Sequence, residues 1–432
     1  MSLTSALWSS RWKLLSILFL VVVVQISFLF QPAAAEGPSS GGNQVLCLIV
    51  KNSVYGPLED RLLRWESDKE RFGTRIVLKV MSNESAADIR SYLRSIPNLT
   101  GCLLVGDIPY VEYEWTYTDA FGNHGYDRFP TDLYYMNLHV SWVDSNGNGA
   151  YDKIVGDLSP DIWIGRLKAS NLSGNEIQLL KNYFDKDHNY TIGAVTVPQE
   201  ALLYFDEVTP TDSAVRRYYI GQLAPQTAYY MSQVFPEVTA IYDPKYTNAS
   251  DYMAKLREPF SLVRTNVHGG ATSENFLYNG AWDGSVHSST LKSLDPNALF
   301  YVITSCQNFD YRQRDYIGAW YIFGSHGLFA MGDSSVYDIM NVLPQSFFLS
   351  LKIKSLGDAY LTWARATVSQ NMNAINVIDY VLLGDPSLSI TPNQPLPEFS
   401  SPISATTVLF LLCIVRRFFP RKKRTGMTTS RT

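Results

Sequence analysis

The sequence predicts an α/β protein whose core is a mostly parallel sheet flanked by helices. Strand-length runs rich in Val, Ile, Leu, Phe and Tyr alternate with amphipathic helical stretches along most of the chain, which is the pattern of βαβ units. Two of those runs, 262–267 and 299–304, end on residues that can do chemistry: His268-Gly269-Gly270 and Ser305-Cys306. Sites in open α/β sheets lie at the carboxyl ends of strands, so both endings fall where a site is expected.

Residues 1–35 stand apart from this pattern. Arg11 and Lys13 precede the apolar run 14–30, and Pro32-Ala33-Ala34-Ala35 offers small residues for cleavage. The segment reads as a secretory signal peptide, with an uncleaved anchor as the alternative. A Ser/Gly-rich linker covers 36–43, and 45–50 is the first strand. Leu62, Leu63 and Trp65 give 57–72 a helical spacing; 76–80 is a strand, 86–96 an amphipathic helix, and 102–105 a strand ending on Gly106-Asp107. The aromatic, polar stretch 110–135 reads as a long surface loop.

Asp144, Asn146, Asn148 and Asp152 then occupy positions one, three, five and nine of a loop with Gly149 at six, the opening of an EF-hand-like calcium loop. Val155 stands where the bidentate acid belongs, with Asp157 close by. A structural Ca2+ ion is one reading, and an Asn/Gly-rich hairpin turn that needs no metal is the other. No organic cofactor is indicated.

After a strand at 161–165, a helix at 176–188 links an N-terminal half (44–190) to a second half (191–392). Strand 201–205 leads into Asp206 and Glu207, followed by a helix at 213–223, a strand at 240–242 and a short helix at 252–257. Beyond the His and Cys strands, 316–323 reads as helix, 327–331 as strand and 343–367 as mostly helical, and 377–383 leads to Gly384-Asp385-Pro386. The remainder, 393–432, is a stalk, a short apolar span at 403–415 and a basic tail with Arg416, Arg417, Arg421, Lys422, Lys423 and Arg424. Thirteen helical residues rise only about 20 Å, short for a hydrocarbon core of roughly 30 Å. The basic cluster should stay cytoplasmic, which leaves the bulk of the chain outside the cell.

At 432 residues, 46% of them hydrophobic, the chain has ample material for a large core. With 1–35 and 400–432 set aside, 27 basic residues face 40 acidic ones, a net charge of −13 that argues against nucleic acid as a partner. Four cysteines are too few for a disulfide scaffold of this size. Cys413 lies in the tail, and Cys47 and Cys102 are either neighbouring buried thiols or one bridge, so Cys306 is the odd thiol. Five Asn-x-Ser/Thr sequons, at Asn83, Asn98, Asn171, Asn189 and Asn248, fit an exported chain.

A thiol at a strand end becomes a nucleophile when an imidazole takes its proton or stabilises the thiolate. The ordinary alternative is a satisfied histidine and a small buried cysteine. Chemistry is favoured because both residues end apolar runs, and Gly-Gly follows the His where backbone must turn or approach another group closely.

Five motifs in order extend this reading: LLVGDIP (103–109), IWIGRL (162–167), VHGG (267–270), TSCQNFDY (304–311) and LLGDPSL (382–388). The set resembles the gingipain-like family of cysteine peptidases, relatives of caspases and legumains, over about residues 44–391. The resemblance implies a caspase-like α/β fold in two subdomains, protein or peptide substrates, and a dyad of Cys306 and His268. Backbone N–H groups of Gly269 and Cys306 would stabilise the oxyanion, and Asp206 or Glu207 would orient the His. Asp212 matches an acid that reads basic P1 residues in Arg-specific relatives, although Asp is equally favoured as a helix N-cap. Family members also bind calcium. Pro397-Glu398-Phe399 with the span and basic tail resembles archaeal sorting signals processed by a sortase-like membrane enzyme; a plain membrane anchor is the alternative. A non-catalytic surface protein on the same fold is the rival to a peptidase.

Overall fold

The computed structural model describes residues 44–118, 124–206, 218–278, 281–336, 344–370 and 375–392. The predicted signal peptide and linker, Glu207, Asp212 and the C-terminal span and tail lie outside them. In chain order the strands are β1 (Val45–Lys51), β2 (Arg75–Met81), β3 (Leu99–Val105), β4 (Val111–Thr118), β5 (His124–Thr131), β6 (Ser141–Val143), β7 (Lys153–Val155) and β8 (Trp163–Leu167). They continue with β9 (Glu200–Phe205), β10 (Glu237–Ile241), β11 (Phe260–Asn266), β12 (His268–Gly270), β13 (Ser273–Tyr278), β14 (Ala281–His287), β15 (Ala298–Thr304), β16 (Phe329–Asp333) and β17 (Tyr380–Gly384).

Ten of these form one sheet in the order β10-β9-β11-β15-β16-β17-β8-β3-β1-β2. Neighbours from β10 to β16 are parallel, as are those from β8 to β2. β17 runs antiparallel to β16 and meets β8 through the Leu383–Arg166 pair. Residues before 191 supply β8, β3, β1 and β2, and later residues supply the other six. Both β11 and β15 are buried along their whole length; β15 is apolar up to Thr304, as a covered parallel strand requires, whereas β11 also buries Ser261, Arg264, Thr265 and Asn266. The outermost strands, β10 and β2, are mostly half-buried.

The flanking helices follow local rules. Ser85 caps Ala86–Ser95 in a reciprocal box with Asp88, and Asn175 caps Glu176–Thr191 by accepting from the Gln178 N–H. The helix predicted from residue 57 begins at Asn52 instead and carries Pro57 inside it. It packs on the Glu176–Thr191 helix, and Lys69 at its end reaches Asp385 of the GDPSL motif at 2.7 Å. Trp65 donates to the same carboxylate at 2.7 Å. Burial is repaid there by a cation and an indole N–H converging on one buried acid. Among the described residues no helix is long and apolar enough to cross a membrane.

Several expectations are corrected. The stretch read as a loop from 110 to 135 is the β4–β5 hairpin followed by a short helix, Leu133–Met136. β4 alternates Val111, Tyr113, Trp115 and Tyr117 with polar residues, while β5, with Pro130 opposite Glu112 and Arg128 opposite Glu114, has no such period. The helix expected to end at 223 runs on through a π-turn, Tyr219–Leu223, into Ala224–Ser232, with Pro225 tolerated in the first turn of the latter. The helix expected over 316–323 is helical only at Ile317–Trp320. Cys47 and Cys102 are register partners on β1 and β3, both fully buried free thiols.

A candidate active site at the carboxyl ends of three strands

Parallel register brings the chemistry together. In the β9-β11-β15 core, Phe205 pairs with Asn266, and Asn266 with Thr304. Asp206 follows the first of these residues, His268 stands two past the second, and Cys306 two past the third. Three sequence-selected groups therefore emerge from adjacent strands at one sheet edge. The Val267 N–H donates to the Thr304 carbonyl at 3.1 Å, extending the pairing to the residue before His268.

Beyond that point the two chains part. The segment that follows His268 folds into a three-stranded antiparallel sheet of β12, β13 and β14. His268 opens β12 opposite Asn275, and Gly269 lies opposite Glu274. Trp282 on β14 sets its ring edge-on to the His268 imidazole, centroids 5.3 Å apart, while 65% of the indole stays exposed. Asp206 is buried, and its carboxylate accepts the Leu277 N–H of β13 at 2.7 Å. That bond ties Asp206 to the hairpin that carries the imidazole.

Cys306 is half-buried at the start of a tight turn. Gln307 takes the left-handed conformation at φ 58°, uncommon for a residue with a side chain. The turn is tied to β16 by Gln307 N–H to Ser335 O at 2.8 Å and Phe309 N–H to Asp333 O at 3.0 Å. Asp333 also accepts the Ser305 N–H, at 3.3 Å. Burial pushes the Asp333 carboxyl upward, against the opposing pull of that N–H and of buried Arg264. Gly269 packs directly on the turn: a Cβ there would sit 2.1 Å from Ser305 Oγ and 2.8 Å from Asn308 Nδ2. That close approach explains the glycine.

Residues from the first half brace the same turn. Tyr311 donates to Asp132 at 3.1 Å, and Asp132 is held by Arg166 of the IWIGRL motif in a fully buried two-point pair. The Arg166 guanidinium lies 4.4 Å over the Tyr311 ring. Arg312 joins Asp310 to Glu112 of β4. On β13, Glu274 is buried and accepts from the Tyr321 hydroxyl at 2.8 and 2.9 Å; burial raises its carboxyl to about 8. Asn308 falls inside the TSCQNFDY motif without a role of its own marked there, and Trp282 and Glu274 carry no sequence signal that sets them apart from ordinary core or loop residues.

The 144–152 loop joins β6 to β7. The Asp144 carboxylate accepts the N–H groups of Gly147, Asn148 and Gly149, and Asp152 accepts from Ser145. Asn146 and Asn148 donate to Glu114 of β4, a buried acid that sequence spacing could not reveal. Among the described residues no group of three or more His, Cys, Asp or Glu side chains is gathered closely enough to hold a metal ion.

Two solved structures share the fold at 17% sequence identity. One is the complex of Porphyromonas gingivalis RgpB pro- and mature domains, with a TM-score of 0.54 over 81% of this chain and 79% of that one. The other is the Arg-specific cysteine proteinase gingipain R (RgpB), with a TM-score of 0.54 over 81% and 78%. No curated protein matches the chain in sequence. The sequence pattern of peptidase family C25 matches residues 60–391. A large, mostly parallel sheet and that match over most of the chain carry one conclusion: the protein belongs to peptidase family C25, the gingipain family of cysteine peptidases.

Proposed function

We propose that the chain is an exported endopeptidase that cleaves protein substrates through Cys306 and His268. The observation that carries this reading is the β11–β15 register, from which both residues emerge two positions past a paired Asn266 and Thr304. In the proposed reaction the Cys306 sulfur attacks the scissile carbonyl, and His268 protonates the departing amine. Water then attacks the acyl-enzyme, with His268 taking its proton, and the free thiolate returns. Oxyanion stabilisation is assigned to backbone N–H groups, with Gly269 and Cys306 as the candidates; losing one such donor typically costs about 100–1,000-fold in rate. Asp206 would act through the hairpin, holding β13 by the Leu277 N–H and thereby the strand that presents His268.

A preference for basic P1 residues is proposed for Asp212, an acid expected at the entrance of the helix that leads to 219–223. Export and attachment at the cell surface are proposed from the two terminal segments. Hydrolysis of an unstructured protein, with the new termini sequenced, tests these points together. Cuts after Arg or Lys that vanish in Cys306→Ala are expected. Cuts that persist in that variant would refute the dyad, and cuts without basic preference would refute the role of Asp212.

We also propose a structural calcium ion for the 144–152 loop, with Asp144, Asn146, Asn148 and Asp152 as ligands and Glu114 holding the two amides by their NH2 groups. Carboxylate and amide oxygens are the ligand types calcium takes. Millimolar Ca2+ should raise the Tm of the wild type but not of Asp144→Ala. An unchanged Tm in the wild type would leave a metal-free hairpin turn.

A further inference from the structure

Between the two proposed catalytic groups lies a buried amide that the reaction itself does not use. Asn308 is fully buried, two residues past Cys306 and across the left-handed Gln307. Its Nδ2 donates to Gly270 O at 2.7 Å and Ser273 O at 3.2 Å, the carbonyls flanking the turn of the His268 hairpin. The same nitrogen lies 3.4 Å from the carbonyl of Cys306. Its main chain continues the link: the Asn308 carbonyl accepts the Gly318 N–H at 2.9 Å, and the neighbouring Ile317 N–H donates to Ala271 O at 2.8 Å. One side-chain NH2 group therefore joins the backbone of the cysteine to the backbone of the hairpin that starts with the histidine.

Resting on the dyad reading, we infer that Asn308 is a positioning residue that fixes the spacing of Cys306 from His268. The chemistry of the position is specific. Three carbonyl oxygens carry like partial charges, and only a donor with more than one hydrogen can hold them together. Aspartate would set a carboxylate against all three oxygens, and serine has a single hydrogen to offer. The left-handed turn at Gln307 lets the side chain fold back on the cysteine's own carbonyl, so a shift of the hairpin is transmitted to the residue that bears the sulfur. A merely structural asparagine would affect folding; this one should affect geometry in a folded protein.

The test compares Asn308→Ser and Asn308→Ala with wild type and His268→Ala in the full chain. It measures circular dichroism, casein hydrolysis, and the pH dependence of Cys306 alkylation by iodoacetamide. A misplacement of about 1 Å costs on the order of 100-fold. The folded Asn308 variants should therefore lose about that factor in kcat with little change in KM. Their alkylation should rise with pH like a free thiol of pKa about 8.5 and no longer depend on an imidazole. A kcat within about threefold of wild type, with the wild-type pH profile, would overturn the inference while leaving the dyad intact. So would failure of both variants to fold, which assigns Asn308 to the core alone. Wild-type alkylation that is indifferent to His268→Ala would instead sink the dyad reading, and the inference with it.

Discussion

Gly269→Ala should separate the nucleophile from its imidazole without touching either. The added Cβ would lie 2.1 Å from Ser305 Oγ, 2.8 Å from Asn308 Nδ2 and 2.9 Å from Ser273 O. Close carbon–oxygen contacts settle at about 3.3–3.6 Å. The serine hydroxyl can rotate away and Ser273 O belongs to the same hairpin, so the contact that must be relieved is with the Asn308 amide, which is anchored on the Cys306 turn. The β12–β13 hairpin must therefore lift by up to about 1 Å from the Cys306 turn, an overpacking that typically costs about 1–3 kcal/mol of stability. A displacement of that size at reacting groups costs on the order of 100-fold in rate. Gly270→Ala is the internal control, because its Cβ would meet only Ser273 Oγ, at 4.0 Å. Hydrolysis of an unstructured protein and alkylation of Cys306 should both drop about 100-fold in Gly269→Ala and stay within about twofold in Gly270→Ala. Equal activity in the two variants would refute the tight apposition on which the site is built.

Arg166→Met should be among the most damaging core substitutions, because it leaves Asp132 buried beside Tyr311 with its two-point partner gone. Breaking a buried pair from one side typically costs about 3–5 kcal/mol. Urea denaturation should show such a loss, with part of it recovered in the double variant with Asp132→Asn. Glu274 titrates at about 8 when folded, against an ordinary value near 4.3, so the folded chain keeps a proton that the unfolded chain releases. Its contribution is therefore greatest at acid pH, declines as pH rises from about 4.3 to 8, and changes little above that. Glu274→Gln should flatten the fall of Tm between pH 5 and 8 by one proton's worth; an unaltered slope would show that this carboxyl does not titrate as described.

Much of the architecture was legible because buried parallel strands are mostly written as short runs rich in Val, Ile, Leu, Phe and Tyr. Residues 45–50, 201–205, 262–267 and 299–304 all fall on or within a residue of sheet strands. The endings of two of them pointed to His268 and Cys306, since a polar residue closing a buried strand has few places to go but the sheet edge. What stayed hidden depends on partners distant in sequence. In the β4–β5 hairpin, Val111, Tyr113, Trp115 and Tyr117 do alternate with polar residues along β4, but β5 carries no such period and joins it through pairs such as Glu112 with Arg128, so the stretch read as loop. The β12–β14 sheet is short, Gly-containing and exposed along β14, and offered no period to detect. Asn308 and Glu114 are defined by contacts to residues more than thirty positions away or from another hairpin, which no local spacing encodes.

The proposed dyad requires an activated thiol at Cys306, and the rate of its alkylation measures that directly. Mass-mapped iodoacetamide labelling of the folded protein at pH 6 should be much faster at Cys306 than at a free peptide thiol, and His268→Ala should abolish the difference. Labelling at the rate of a free thiol, unaffected by His268→Ala, would contradict the dyad and leave a family C25 fold whose cysteine is not poised for catalysis.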